Sequence, residues 1–342
     1  MKKNKNREFV KALYLQIPES KLLTSYLADI LDLNKESVYR RLRSEVPFTY
    51  EEICTISTHL NISLDRINGL SKENNSFFDL HVHKSDNPID IYMEIMEMNI
   101  NILNKVGNTE NVKVELALNR LPFAYGLLYK TLSKLYYYKW FFHTQNVPKD
   151  FNFSDFHLPL RIEKIYEKYI EENKNLNCEM DILIDNTIFL SIIKDINYFV
   201  SRELIDGESL MKLQQDLLLV IDYIEGVAKK GYGMGGSPVN LYLSSVDLEP
   251  CYLYVKYEDK ANVYYWTPSG EVMNTSSPKI CSIHENWIQS SKRYTTLITK
   301  CNVSESNEYF EKQRHYVKSK LVLRQSDQMG SWSDEEYLTP FI

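Results

Sequence analysis

Apolar and polar residues follow a helical period over the first 70 residues of the chain. Apolar side chains recur there at spacings of three and four positions, which predicts five short amphipathic helices. Asn34 is a candidate N-cap for the third helix, and Pro47 follows its end. Thr49 and Glu52 form a capping-box pattern at the start of the fourth helix, and Ser63 begins the fifth. The segment is therefore predicted to form a compact helical bundle.

A run of polar residues, SKENNS at positions 71–76, interrupts this pattern. Clusters of Ser, Asn and charged residues between periodic segments are typical of loops and linkers. We therefore predict an N-terminal domain at residues 1–70, a linker at residues 71–76 and a larger C-terminal domain at residues 77–342.

The C-terminal domain is predicted to be mostly helical. Its expected helices lie at residues 89–105, 112–118, 122–143, 159–173, 186–204, 208–230, 285–299 and 305–321. Between residues 239 and 284 the pattern changes to an alternation rich in Tyr and Val, which favours strands at residues 240–245, 251–257, 262–267 and 279–283. The predicted fold class is mainly α: a five-helix N-terminal domain and a large helical domain with a small antiparallel β-sheet near residues 239–284.

Composition is typical of a folded globular protein. Hydrophobic residues make up 44% and charged residues 25% of the 342 residues. No apolar stretch approaches the roughly 18 residues that cross a bilayer, so no membrane contact is expected. The five cysteines are widely spaced, without a C-x-x-C pair, which favours a reducing compartment. We expect a cytoplasmic protein.

Charge is distributed unevenly along the chain. The formal net charge is −6, but residues 1–70 contain eleven Lys and Arg against nine Asp and Glu, a net +2, so the remaining residues carry −8. An acidic domain repels DNA. Any contact with nucleic acid is therefore expected to be confined to the N-terminal domain.

Two consecutive stretches carry a recognisable motif, LADILDLNKESVYRRL at residues 27–42 and PFTYEEICTISTHLNISLDRI at residues 47–67. Their matching features are the pair Leu27-Ala28, the apolar turn residue Leu33, the core residue Val38 and the closing run at residues 60–65. On these residues, positions 20–68 resemble the lambda-repressor-like (Cro-type) helix-turn-helix family. The chain departs from the family at Asp32 and Ser44, where glycine is usual.

The resemblance implies a sequence-specific, DNA-binding transcriptional regulator. Its recognition helix, about residues 35–45, would enter the major groove of double-stranded DNA. Lys35, Glu36 and Ser37 would approach base edges, and Arg40 a guanine or a phosphate. The full set of predicted DNA-binding residues is Thr24, Lys35, Glu36, Ser37, Tyr39, Arg40, Arg41 and Arg43, of which Thr24, Arg41 and Arg43 are expected to contact phosphates.

Helical geometry in this segment agrees with that orientation. Val38 and Leu42 are four residues apart and share one face of the helix. Glu36, Arg40 and Arg43 then lie on the outer face. Because a single N-terminal domain with few phosphate contacts binds DNA weakly at physiological salt, we expect a homodimer.

Two alternatives stay open from the sequence. The helix-turn-helix can mediate contacts with a protein instead of DNA. The C-terminal domain can serve dimerisation, or it can receive a signal from a small-molecule or peptide effector. Segments at residues 185–199, 239–255 and 285–299 resemble uncharacterised bacterial helix-turn-helix regulators of the same layout, and no activity follows from that likeness.

The remaining motifs favour structural roles. Six aromatic residues between positions 136 and 142 predict a buried core or dimer contact rather than an effector pocket. The glycine-rich residues 231–236 lack the G-K-[ST] sequence and the preceding strand of a phosphate loop, so a flexible connector is expected.

Possible catalytic and metal-binding residues are isolated. His81 and His83 have no third ligand nearby in sequence. Ser191 and Lys194 have S-x-x-K spacing without its companion motifs, while Asp181 and Asp185 suit a helix start. We therefore expect no enzyme activity, no cofactor and no metal site.

Overall fold

A computed structural model describes residues 5–60, 62–64, 67, 76–248, 252–258 and 260–322. The chain divides into two compact units, Met1–Phe77 and Phe78–Ile342, which we call the head and the body. Among the described residues, no helix combines the length and apolar character required to cross a membrane.

The described part of the head contains four helices: α1 (Lys5–Gln16), α2 (Ser20–Ile30), α3 (Lys35–Leu42) and α4 (Tyr50–Leu60). Their apolar faces form a single core that includes the buried residues Leu13, Leu23, Leu27, Val38 and Ile56. The fifth helix expected from Ser63 onward falls mostly outside the described residues.

One eight-stranded mixed sheet organises the body. In chain order its elements are β1 (Asp79–Leu80), α5 (Pro88–Gly107), β2 (Lys113–Leu118), α6 (Phe123–Gly126), α7 (Lys130–Thr144), α8 (Leu160–Lys174), β3 (Glu179–Ile184), α9 (Leu190–Val200), α10 (Gly207–Lys230), β4 (Val239–Ser244), β5 (Tyr252–Lys256), β6 (Ala261–Trp266), β7 (Val272–Thr275), α11 (Pro278–Lys292), β8 (Thr295–Leu297) and α12 (Val303–Lys320). The strand order is β1-β7-β6-β5-β2-β3-β4-β8. Strands β2, β3 and β4 are parallel, and the other pairings are antiparallel.

Helices cover both faces of this sheet. Successive side chains of a strand point to opposite faces. On one face, Ile182 and Ile184 of β3 join a large core with α7, α9, α10 and α12. On the other face, Leu183 packs in a smaller core with Cys281 and Ile288 of α11.

The predicted fold class is wrong. The body is not a helical domain with a small antiparallel sheet, because its eight strands form one large mixed sheet. Residues 113–118, expected to be helical, form β2, and β3 was not predicted at all. Both strands lie in the middle of the sheet with apolar residues on both faces. Their sequences therefore lack the clean polar alternation of a one-sided strand.

Two further assignments are wrong near the end of the sheet. Residues 279–283 belong to α11, which begins at Pro278, and proline is favoured in the first turn of a helix. Residues 295–297, inside the predicted helix at 285–299, form the edge strand β8. The strands expected at residues 240–245, 251–257 and 262–267 correspond to β4, β5 and β6.

Candidate nucleic-acid interface

Helix α3 is held in the head by one buried side. Val38 and Leu42 of α3 are buried and belong to the same core as Leu23 and Leu27 of α2 and Ile56 of α4. Because Val38 and Leu42 are four residues apart, they fix one face of α3 inward. The opposite face is left to solvent.

The turn before α3 determines where this helix begins. Asp32 adopts a left-handed backbone conformation with φ of 50°, and the Leu33 N–H donates to the Ala28 carbonyl at 3.0 Å. The Asn34 side-chain oxygen accepts a hydrogen bond from the Ser37 N–H at 2.8 Å. The predicted N-cap is confirmed, and it satisfies one of the free N–H groups at the start of the helix.

The end of α3 is closed by a Schellman motif. Ser44 has a left-handed φ of 62°. The Ser44 N–H donates to the Arg41 carbonyl and the Glu45 N–H to the Arg40 carbonyl, both at 2.9 Å. These are the two hydrogen bonds that define the motif, so the backbone of Glu45 is fixed beside the last turn of α3.

Arg41 joins α3 to α4 instead of facing solvent. Its Nε lies 2.9 Å from Glu52 Oε2, and its Nη2 lies 2.8 Å from Glu52 Oε1. The Arg41 and Glu52 side chains are only 16% and 15% exposed. Burial alone would raise the pKa of Glu52, but hydrogen bonds from Arg41 and Thr49 outweigh it and lower that pKa.

Glu52 also completes the capping box at the start of α4. The Thr49 N–H donates to Glu52 Oε2 at 2.9 Å, and the Glu52 N–H donates to Thr49 Oγ1 at 3.2 Å. The predicted capping box is confirmed. One carboxylate therefore caps α4 and anchors α3 through Arg41.

The solvent-facing side of α3 carries most of the predicted DNA-binding residues. We call it the reading surface: exposed Lys35, Glu36, Arg40 and Arg43, with half-buried Ser37 and Tyr39. The Arg43 guanidinium lies 5.9 Å from the centre of the Tyr39 ring, within the range of a cation–π contact. The reading surface therefore carries three cations, the Glu36 carboxylate and the hydroxyl-bearing ring of Tyr39.

Two predicted phosphate contacts lie elsewhere. Thr24 is 1% exposed, and its hydroxyl donates to the Ser20 carbonyl at 2.7 Å within α2. Arg41 is committed to Glu52 and also donates to the Ser37 carbonyl at 3.2 Å. Neither side chain belongs to the reading surface, and both have structural partners within the head.

The sequence did not predict the contacts of two acidic residues, Glu45 and Glu52. Glu45 Oε2 lies 3.8 Å from Arg40 Nε, and Glu45 Oε1 lies 3.9 Å from Arg43 Nη1. Glu52 pairs with Arg41, eleven residues earlier in the chain. The sequence signal for the first contact was Ser44, which occupies a position where glycine is usual and where the backbone is left-handed. No local signal predicted the second, because it depends on how α3 and α4 pack.

In the body, the aromatic run at residues 136–142 contributes to the core. Tyr137 and Tyr138 are completely buried. Tyr138 stacks on Phe151 with ring centroids 4.9 Å apart and meets Phe199 edge-on at 5.1 Å. Contacts of this kind stabilise an interior.

The glycine-rich residues 231–236 form a packed turn rather than a flexible connector. Gly231 ends α10 in a left-handed conformation, and Tyr232 forms a β-bridge with Pro238. Gly235 has a φ of 70°, and a Cβ at that position would lie 1.7 Å from the Lys174 carbonyl oxygen. Only glycine fits there without displacing the end of α8.

His81, His83 and Asp185 each have a polar neighbour in the body. His83 lies 3.6 Å from Glu271, and the His81 ring lies 3.4 Å from the Asn274 amide. No cluster of three metal-ligating side chains occurs among the residues that the structure describes. Asp185 accepts hydrogen bonds from the Thr187 backbone N–H at 2.7 Å and from its hydroxyl at 2.8 Å.

Asp181 lies in β3 and not at a helix start. It and its neighbour on β2, Glu115, are each 2% exposed, and both contact the Lys292 ammonium of α11. Asp181 also accepts from Lys113 at 2.9 Å and from Asn240 at 2.8 Å. Burial raises the pKa of Asp181, but hydrogen bonds from Lys292, Asn240 and Lys113 outweigh it and lower that pKa. The network anchors α11 on the sheet.

Comparison of the chain with models of protein families, with curated protein sequences and with solved structures finds no match in any of the three.

Proposed function

We propose that the head binds double-stranded DNA through α3 and that the protein is a non-enzymatic transcriptional regulator. The observation that carries the proposal is the reading surface itself. Its cations Lys35, Arg40 and Arg43 are all exposed, on a helix whose opposite face is buried and whose two ends are fixed by hydrogen bonds. A helix of this width fits the major groove, and arginine recognises guanine edges or phosphates.

The position of Arg41 also supports this orientation. Its charge is neutralised inside the head by Glu52, with contacts of 2.8–2.9 Å. Arg40 and Arg43 keep exposed side chains, 58% and 69%, on the reading surface. The chain thus separates one structural arginine from two that can meet a partner.

We further propose that the regulator acts as a homodimer in the cytoplasm. A single head with three cations makes too few phosphate contacts for useful affinity at physiological salt. Two heads on one duplex double the number of these contacts. The body would supply the dimer contact, a response to a small-molecule or peptide effector, or both. Cys54, Cys178, Cys281 and Cys301 are free thiols, which supports a reducing compartment.

Gel-shift titration of the full chain with duplex DNA tests the proposal. At physiological salt the double variant Arg40→Ala, Arg43→Ala should abolish binding, because it removes two of the three cations of the reading surface. The matched control is Arg7→Ala, Lys11→Ala, which removes two exposed charges from α1. If the two double variants bind DNA with equal affinity, the assignment of α3 as the DNA-binding helix is wrong. If the unmodified chain and both variants all fail to bind, the proposal of DNA binding is wrong.

A second candidate function is contact with a protein through the head. Leu15, Leu22 and Tyr50 are 82%, 58% and 78% exposed, and large exposed apolar side chains favour protein partners. The same titration discriminates the two functions: a head that binds only protein should show no salt-dependent affinity for DNA.

A further inference from the structure

Glu45 has a defined position beside the reading surface. As the third residue after α3, it is placed by the Schellman motif, with its N–H bonded to the Arg40 carbonyl at 2.9 Å. In this motif the side chain at that position commonly makes an apolar contact with the residue five positions earlier. Here that pair is Glu45 and Arg40, so a charge contact replaces the apolar one.

The carboxylate of Glu45 contacts both arginines of the reading surface. Its oxygens lie 3.8 Å from Arg40 Nε and 3.9 Å from Arg43 Nη1, and its side chain is 48% exposed. These distances are longer than hydrogen bonds, in contrast to the 2.8–2.9 Å contacts of Arg41 with Glu52. Glu45 therefore attracts the two guanidinium groups without holding them in one fixed geometry.

We propose that Glu45 is an internal competitor of DNA for Arg40 and Arg43. It occupies the place that a DNA phosphate or a guanine edge would take, so DNA binding must break two ion pairs and bring a carboxylate close to the phosphate backbone. The proposal rests on the proposed function of the head. The backbone after α3 thus places one carboxylate beside both exposed arginines.

Such a competitor lowers the affinity of the head for any duplex. Each partly exposed ion pair and the repulsion of phosphate are modest effects, which together correspond to about a three- to tenfold change in Kd at low salt. Because the interactions are screened, the effect should shrink as salt increases. If Glu45 competes with DNA, the effect of removing its charge on Kd should require Arg40 and Arg43. A general change in net charge would alter Kd without these arginines.

The test uses the full chain and a fluorescein-labelled 30-bp random-sequence duplex, with Kd measured by anisotropy at several salt concentrations. Glu45→Gln keeps the side-chain size and the backbone N–H of the motif. Its matched control is Glu51→Gln, which removes the same charge from an exposed position of α4. We expect Glu45→Gln to lower Kd about three- to tenfold and Glu51→Gln to lower it less than about twofold.

Both substitutions are then repeated in a chain carrying Arg40→Gln and Arg43→Gln, at a salt concentration low enough for residual binding. The advantage of Glu45→Gln over Glu51→Gln should disappear there. If both glutamine variants change Kd equally in the unmodified background, or if the advantage persists without the arginines, the competition is refuted while DNA binding stands. If the unmodified chain and all variants fail to bind the duplex even at the lowest salt concentration, where non-specific binding is strongest, the proposed function and this inference are both refuted.

Discussion

Replacing Arg41 with alanine should destabilise the head, although the sequence pattern suggested a phosphate contact for this residue. The substitution removes two short hydrogen bonds to Glu52 and a third to the Ser37 carbonyl. Hydrogen bonds to charged groups contribute about 1.5–3 kcal/mol when partly buried, whereas exposed ion pairs contribute about 0.2–1 kcal/mol. The Arg41 and Glu52 side chains are only 16% and 15% exposed, so their contact should contribute an energy in the range of partly buried hydrogen bonds to charged groups. We expect a loss of about 2 kcal/mol.

Amide hydrogen exchange of α3 and α4 in the full chain measures this loss without separating the two units. A decrease of about 2 kcal/mol corresponds to roughly thirtyfold faster exchange of amides that open with the head. Arg40→Ala is the matched control, because its side chain is 58% exposed and its ion pair is loose. It should change exchange by no more than about twofold. Equal effects of the two substitutions would refute the structural role of Arg41.

The same contact makes the stability of the head depend on pH. The pKa of Glu52 is lowered in the folded head below its unfolded value of about 4.3. The stabilisation is therefore complete above that unfolded value and is lost as pH falls through the folded pKa. After correction for intrinsic rates, protection in the unmodified head should fall in this acidic range, and Arg41→Ala should flatten the dependence. An unchanged dependence in the variant would contradict the pairing.

Three further predictions concern backbone geometry and buried charge. Ser44→Gly should raise protection of α3 amides by up to about 1 kcal/mol, because glycine adopts a left-handed φ without strain. Ser25→Gly within α2 should instead lower the stability of the head by about 0.5 kcal/mol, so changes of the same sign would contradict the left-handed turn. Gly235→Ala should destabilise the body by more than about 2 kcal/mol in urea unfolding, and wild-type stability would contradict the packed turn. Lys292→Ala should cost about 3–5 kcal/mol in the same assay, because it leaves two buried carboxylates without their shared cation, while Lys312→Ala on an exposed pair should be nearly neutral.

The local architecture of the head follows from its sequence because short-range signals determine it. Asn34 caps α3 and Thr49 with Glu52 caps α4, as the patterns predicted. The spacing of Val38 and Leu42 identified the buried side of α3. These features need only neighbouring residues, so propensity and periodicity suffice.

Features that depend on packing between distant segments could not be predicted. Strand β3, EMDILI, is buried on both faces and pairs with β2 and β4, which are distant in sequence. A short apolar segment of this kind does not distinguish a central strand from a buried helix. Arg41 looked like a free cation because its partner becomes visible only when α3 and α4 are packed together.

The most direct test of the central claim is methylation interference on a duplex selected from a random pool by the unmodified full chain. If α3 enters the major groove, methylation of guanine N7 within the selected site should block binding, and Arg40→Ala should remove the interference at the guanine that Arg40 contacts. Interference confined to adenine N3 in the minor groove, or failure of the chain to select any duplex, would contradict the account.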